Sequence, residues 1–226
     1  MKQDKRIFQK DYFTKYYEPM TGKFGHQDLV RNKNWFYGWF NALQEWYNFK
    51  EGNEKKVLEI GCSIGAACQL LSERGFKVTG SDISSYAIKG AKKVVPKVAF
   101  EVLDIETSKK YQNTFDVIFA FEVIEHLGDL DAAFANIYRM LKKGGVFIAS
   151  TPYPYSYVFI DKTHINVRHP LDWMRLLKQH RFKNTKWKQI MFIPFFYRYS
   201  PLFHFTLPIG LPTPYVNSPI FLYGKK

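Results

Sequence analysis

Cysteine is nearly missing from this chain: two thiols, Cys62 and Cys68, in 226 residues. They lie close together in sequence, across what reads as a turn and the start of a helix. A bridge there is sterically difficult, so no disulfide framework is expected and a reducing, cytoplasmic setting is. No run of about eighteen apolar residues occurs, which removes the signal for a membrane-spanning helix. The opening residues Met1 to Arg6 are mostly charged and no apolar stretch follows, so no secretory leader is expected. Internal repeats, low-complexity tracts and dense basic runs are missing too. So is the Gly-x-Gly-x-x-Gly spacing of dinucleotide sites, which counts against a nicotinamide-dependent oxidoreductase.

What is present is a globular composition, 46% hydrophobic and 18% aromatic, long enough for one domain, 1–226, with a substantial core. Lys and Arg outnumber Asp and Glu by 33 to 20, for a formal charge of +13. That balance suits nucleic acid, anionic lipid or phosphorylated substrates. The lysines are scattered in pairs such as Lys92-Lys93 and Lys142-Lys143, a pattern that also fits an ordinary solvated surface.

Residues 1–50 are aromatic and polar. Trp35, Trp39, Leu43 and Trp46 fall at helical spacing and predict an amphipathic helix within an aromatic N-terminal cap. From 55 onward strands and helices alternate. Strands are predicted at Val57–Ile60, Lys77–Ser81, Val98–Val102, Phe115–Ala120 and Val146–Ser150. Helices are predicted at Ala66–Arg74, Ser84–Val94 and Leu130–Leu141, with Ser84 and Asp129 as N-caps and Lys142-Lys143-Gly144-Gly145 as the turn that stops the last one. Alternation of this kind predicts an α/β fold: a doubly wound, mostly parallel sheet covered on both faces. Thr151–Ile160 reads as a loop and Pro170–His180 as a helix. Lys186–Ile193 and Pro219–Tyr223 are the last strands, with an aromatic, proline-rich insertion at 194–218 between them.

The most informative stretch is Val57-Leu58-Glu59-Ile60-Gly61-Cys62-Ser63-Ile64-Gly65. An apolar strand ends in an acid and a glycine turn, and a helix follows at once, with its first amides open to a ligand. About twenty residues on, a second strand ends in Asp82, where an acid can grip ribose hydroxyls. Leu103-Asp104-Ile105 and Phe115 to Leu127 follow in order, and Leu141-Lys142-Lys143-Gly144-Gly145 precedes the fifth strand.

This ordered set, over residues 55–185, resembles the class I S-adenosylmethionine-dependent methyltransferases, in particular the group similar to the ubiquinone-biosynthesis O-methyltransferases. Their glycine motif has Glu/Asp-x-Gly-x-Gly-x-Gly; here Ser63 replaces the middle glycine. The resemblance implies a seven-stranded Rossmann-like sheet with the N-terminal segment as a cap, and Tyr12, Tyr16 or Tyr17 facing the cofactor. It implies S-adenosylmethionine as cofactor, held by Glu59 at the methionine end, by the Gly61, Cys62, Ser63 and Gly65 backbone, by Asp82 at the ribose hydroxyls with Ile83 next to it, and by Asp104 and Ile105 at the adenine. Phe121 and Glu122 complete the set. The expected reaction moves a methyl group to an oxygen or nitrogen of a small-molecule, glycan or lipid-linked acceptor.

Glu122, Glu125 and His126 sit at i, i+3 and i+4, one face of a helical turn. A helix start with a packed histidine, acid/base work and a divalent metal are all open readings. The same run, with a later histidine such as His164, resembles the magnesium site of small-RNA 2′-O-methyltransferases, and RNA methylation is the alternative within the family. The expectation here is that His126 and His164 act as bases on the acceptor side and that the four residues complete no metal shell. A non-catalytic nucleotide-binding protein is the remaining alternative. Basic charge with exposed aromatics also suits peripheral contact with a membrane.

Overall fold

Two compact units divide the chain between Asp104 and Ile105. The computed structural model describes residues 7–16, 26–193, 205–207, 209–212 and 218–226. In the first unit the helices α1 (Lys10–Tyr16) and α2 (His26–Ala42) precede β1 (Lys56–Ile60), α3 (Ala66–Glu73), β2 (Lys77–Asp82), α4 (Ser85–Val94) and β3 (Ala99–Val102). The second holds β4 (Phe115–Phe121), a 3₁₀ turn (Ile124–His126), α5 (Leu130–Met140), β5 (Leu141–Pro152) and a second 3₁₀ turn (Ser156–Ile160). It continues with α6 (Pro170–Gln179), β6 (Lys183–Gln189), β7 (Met191–Ile193), β8 (Phe205–Leu207) and β9 (Pro219–Lys225). Seven strands form one sheet in the order β3-β2-β1-β4-β5-β9-β6. The β1–β2, β2–β3 and β4–β5 pairs are parallel, and β9 runs antiparallel to both its neighbours.

The central strands β1, β4 and β5 are mainly buried apolar runs because helices cover both faces of a parallel sheet; Val57, Leu58, Val117, Ile118 and Ile148 are fully buried. Ser84 and Asp129 are the helix N-caps, accepting from the Ala87 and Ala132 amides. The N-terminal aromatics divide by role. Trp39 and Phe40 of α2 and Leu43 just after it are buried, and Lys33 of α2 pairs with Glu73 of α3 at 2.8 Å, so α2 is a packing helix. The segment at α1 lies beside the start of α4, where Gln9 accepts hydrogen bonds from Ser84 and Ser85. Of the expected cap tyrosines, Tyr12 is half-buried; the Tyr16 side chain and Tyr17 lie outside what is described.

Three expectations need correction. Lys142–Gly145 belongs to β5, not to a turn after the helix. It bulges out where the register jumps from Phe115↔Leu141 to Val117↔Val146. Lys142 is drawn to Asp116 at 2.8 Å, Gly144 adopts φ +80°, and a Cβ at Gly145 would come within 2.9 Å of the Lys142 carbonyl. The predicted strand Lys186–Ile193 is two strands: β6 ends at Gln189, Ile190 bonds to Pro219, and β7 leaves to pair with β8 in a separate ribbon. The predicted loop at Thr151–Ile160 begins in β5 and includes a 3₁₀ turn. Most of 194–218 lies outside the described residues.

Candidate active site

In the first unit the carboxyl ends of β1 and β2 are tied together by their own side chains. Asp82, at the tip of β2, is buried; its Oδ2 accepts the Ser63 amide at 3.0 Å and its Oδ1 the Ser84 amide at 2.8 Å. The turn between β1 and α3 has left-handed backbone at Gly61 (φ +74°), Ser63 (φ +47°) and Gly65 (φ +83°). At Gly65 the need for glycine is double: a Cβ would also stand 2.6 Å from the Phe100 ring. Ser63 costs the turn some strain yet keeps it. Burial pushes the Asp82 carboxyl up to about 6, against the pull of its amide donors.

Glu59 is buried two residues before the turn. Cys68 of α3 donates its thiol hydrogen to Glu59 Oε2 at 2.8 Å, and burial raises the carboxyl to about 8. At neutral pH Glu59 is therefore a protonated acid. Cys62 and Cys68 are buried free thiols, and burial pushes Cys62 up to about 11, so neither is a nucleophile. Ile83 and Asp104 are half-buried.

This donor set fits an adenosine-containing ligand. Each Asp82 oxygen accepts one amide and retains capacity for a further bond, as a vicinal diol requires. Ser63 Oγ is a buried hydroxyl with no hydrogen-bond partner. Apolar Ile83 and acidic Asp104 suit a purine ring and its exocyclic amine.

The second unit contains a different cluster. Glu122 follows β4 in left-handed backbone, φ +53°, held by Ser150: the Glu122 amide bonds the Ser150 carbonyl and hydroxyl oxygens, and Ser150 Oγ donates to Glu122 Oε1 at 2.7 Å. Burial raises Glu122 to about 7. Only Ile124–His126 form a helical turn, so the predicted i, i+3, i+4 face does not form and Glu122 points to Ser150. Glu125 is wholly buried, and burial, with Glu122 nearby, raises it well above the usual carboxylate range.

The loop before α6 brings in His164. Ile165 and Asn166 both donate their amides to the Glu125 carbonyl, at 3.0 and 2.9 Å. The His126 and His164 rings lie 4.9 Å apart, tilted by 53°. His126 Nδ1 bonds the Thr163 carbonyl at 3.0 Å and His164 Nδ1 the Val158 carbonyl at 2.7 Å. In both, carbonyl pairing assigns the proton to Nδ1 and the lone pair to Nε2. Burial, then the neighbouring His164, lowers His126 to about 4, so it is neutral at pH 7. Ile105 and Phe121 are buried, and Asn136 caps the Ile105 carbonyl.

Cys68 and Ser150, which hold Glu59 and Glu122, carried no sequence signal. Asp161 had a faint one: Asp-x-Thr before the histidine is a side-chain turn, and its Oδ1 takes the Thr163 amide and hydroxyl.

A family model described as a methyltransferase domain matches residues 36–187. Among curated relatives, a phosphoethanolamine N-methyltransferase of Triticum aestivum is 39% identical over 101 residues, 42% of this chain and 20% of that protein. A ubiquinone biosynthesis O-methyltransferase of Mesorhizobium japonicum is 32% identical over 100 residues, 42% of this chain and 40% of that protein. The match thus spans less than half of either relative. Among solved structures, a S-adenosylmethionine-dependent methyltransferase from Archaeoglobus fulgidus superposes with TM-score 0.67 at 20% identity, over 96% of this chain and all of that one. A Haemonchus contortus phosphoethanolamine N-methyltransferase 2, solved with phosphomonomethylethanolamine and S-adenosylhomocysteine, gives TM-score 0.64 at 17% identity, over 92% of this chain and 58% of that one. The family match, the motif order and the seven-stranded sheet agree, and the chain belongs to the methyltransferase domain family: it is a S-adenosylmethionine-dependent methyltransferase domain.

Proposed function

We propose that the chain acts as a single methyltransferase domain, moving a methyl group from S-adenosylmethionine to an oxygen or nitrogen of a small-molecule acceptor, free or carried on a glycan or lipid. The observation that carries this reading is the lock between Asp82 and the Ser63 amide at 3.0 Å, which fixes the glycine turn beside an unpartnered Ser63 hydroxyl. The cofactor supplies a sulfonium methyl already activated for attack, so the protein's work is alignment and exclusion of water. Asp82 takes the ribose hydroxyls, the Gly61–Gly65 backbone and Glu59 the methionine end, and Ile83 and Asp104 the adenine. Ile105, Phe121 and Glu122 are assigned to the cofactor on the family resemblance.

Preparation of the acceptor nucleophile is assigned to His126 and His164, whose Nε2 atoms are the hydrogen-bond acceptors of the second cluster. A base works best with a pKa near the operating pH, and His126 at about 4 lies well below it, so His126 orients the acceptor more than it titrates. The names of the relatives support nitrogen and oxygen acceptors alike.

No helix among the described residues is long and apolar enough to cross a membrane. Two free thiols support a cytoplasmic setting. Exposed Phe159 and Ile160 beside Lys162 support peripheral contact with an anionic surface. The test is calorimetry of the whole chain with S-adenosylhomocysteine and, separately, NAD, followed by transfer of labelled methyl from S-adenosylmethionine to amine and hydroxyl acceptors. Binding of the first compound alone, with label transferred, is expected. Binding of NAD, or of neither, overturns the reading.

A further inference from the structure

We propose that the second unit carries a docking face for an anionic lipid bilayer, with Phe159, Ile160, Leu207, Ile209 and Leu211 as its apolar floor and the neighbouring cations as its rim. The proposal deepens the reading of peripheral contact and rests on the methyltransferase reading only for the reaction that docking serves.

Charge is divided unevenly along the chain. Residues 173–226 hold nine Lys and Arg and no Asp or Glu, so nine of the thirteen net positive charges fall in that segment. Within it β6 lies at the edge of the sheet, with Lys183 and Lys186 exposed and Trp187 40% exposed. Lysines on an edge strand also block pairing with another chain. That role asks for no apolar surface, and here one adjoins them.

Ile160 is 78% exposed and Phe159 47%, side by side at the end of the 3₁₀ turn Ser156–Ile160. Leu207, Ile209 and Leu211, at the end of β8 and just after it, are each 40–49% exposed. Gln189, the last residue of β6, pins the two strips together. Its Nε2 donates to the Tyr155 hydroxyl at 3.3 Å and to the Ser218 carbonyl at 3.0 Å. The Leu211 amide bonds the Ser218 hydroxyl at 3.2 Å, and Gly210 passes so close to Gln189 that a Cβ would collide with its side chain. Both strips therefore meet at the end of the basic strand. Lys186 lies about 10 Å back along that strand from Gln189, and Lys162 follows Ile160 by two residues. Asp161, the acid between them, spends its Oδ1 on the Thr163 amide and hydroxyl.

Single exposed apolar residues are ordinary, but five that meet at one strand end mark a partner. That partner must offer apolar depth and negative charge together. RNA would meet the cations, yet Ile160, Leu207, Ile209 and Leu211 have no ring on which a base can stack. A second copy of this chain would set like charge against like. An anionic bilayer satisfies both demands, because apolar side chains enter the acyl boundary while lysines stay among the headgroups. Tyr153, Tyr155 and Tyr157 stack in steps of 4.6 and 5.7 Å leading into the turn, and such rings suit the headgroup level. Phe159 also lines a cavity of about 460 Å³ with Lys162, His164 and Arg168. The apolar face and the acceptor histidine thus share a wall, as an acceptor carried on a lipid requires.

The whole chain, free of S-adenosylmethionine, is sedimented with vesicles of phosphatidylcholine and, separately, of phosphatidylcholine mixed with phosphatidylglycerol. Binding about 10-fold tighter or more to the anionic vesicles is expected, weakening as salt rises. Phe159→Ser with Ile160→Ser should weaken it about 10-fold or more, and Lys162→Gln with Lys186→Gln about 10-fold. S-adenosylhomocysteine binding by both double variants reports that they are folded and tests the cofactor reading separately. No binding to anionic vesicles, equal binding to neutral ones, or binding untouched by the Phe159→Ser, Ile160→Ser pair overturns the proposal. So does tighter binding of single-stranded RNA at the same salt, or a dimer in sedimentation velocity that the same pair of substitutions splits.

Discussion

The Cys68 thiol donates a 2.8 Å hydrogen bond to the Glu59 carboxyl, joining α3 to the end of β1 inside the core. Burial lifts Glu59 from its usual 4.5 to about 8, so the folded chain keeps a proton that the unfolded chain releases. Glu59 thus contributes stability that is complete below about pH 4.5 and is lost as pH rises to about 8, by roughly 1.4 kcal/mol per unit between those limits. In denaturant unfolding from pH 5 to 8 the wild type should lose stability more steeply than Glu59→Gln, the difference between the two profiles being that slope. Parallel profiles would mean that Glu59 does not titrate in the fold.

Asp82→Ala should weaken S-adenosylhomocysteine by about 2 kcal/mol or more, because it removes a charged acceptor and frees the Ser63 and Ser84 amides. Calorimetry gives the affinity directly, and unchanged binding would take Asp82 out of the site.

Phe100 fills the space left by two glycines. A Cβ at Gly80 would lie 2.5 Å from its ring, as one at Gly65 lies 2.6 Å away. Gly80→Ala should destabilise by about 1–3 kcal/mol through overpacking, and Phe100→Leu in the same chain should recover part of it. A melting temperature unmoved by Gly80→Ala would refute the contact.

Ser150→Ala removes the hydroxyl that donates to Glu122 at 2.7 Å and accepts its amide. A cost of about 1–3 kcal/mol in chemical denaturation is expected, since a buried carboxyl loses its donor. Ser150→Thr, which keeps a hydroxyl, should cost less; equal losses from both variants would point to packing instead.

Elements whose signal is local are legible in the order of residues alone. The strand–turn–helix at Val57 to Arg74 reads off apolar periodicity and glycine, Ser84 and Asp129 read off as caps, and Asp82 reads off as an acid at a strand tip. These depend on backbone preferences and neighbours a few residues away. The other features arise from contacts between distant segments. That Glu59 is a protonated acid depends on burial, which outweighs the opposing pull of the Cys68 thiol. Glu122 leaves its expected partners because Ser150, on β5, offers a donor at the strand end. Lys142–Gly145 became a bulge because Asp116 on the neighbouring strand draws Lys142 to it. His164 meets Glu125 because two amides of its loop close on the Glu125 carbonyl. Each outcome turns on a hydrogen bond or on desolvation contributed by residues distant in sequence, and neither leaves a trace in local spacing.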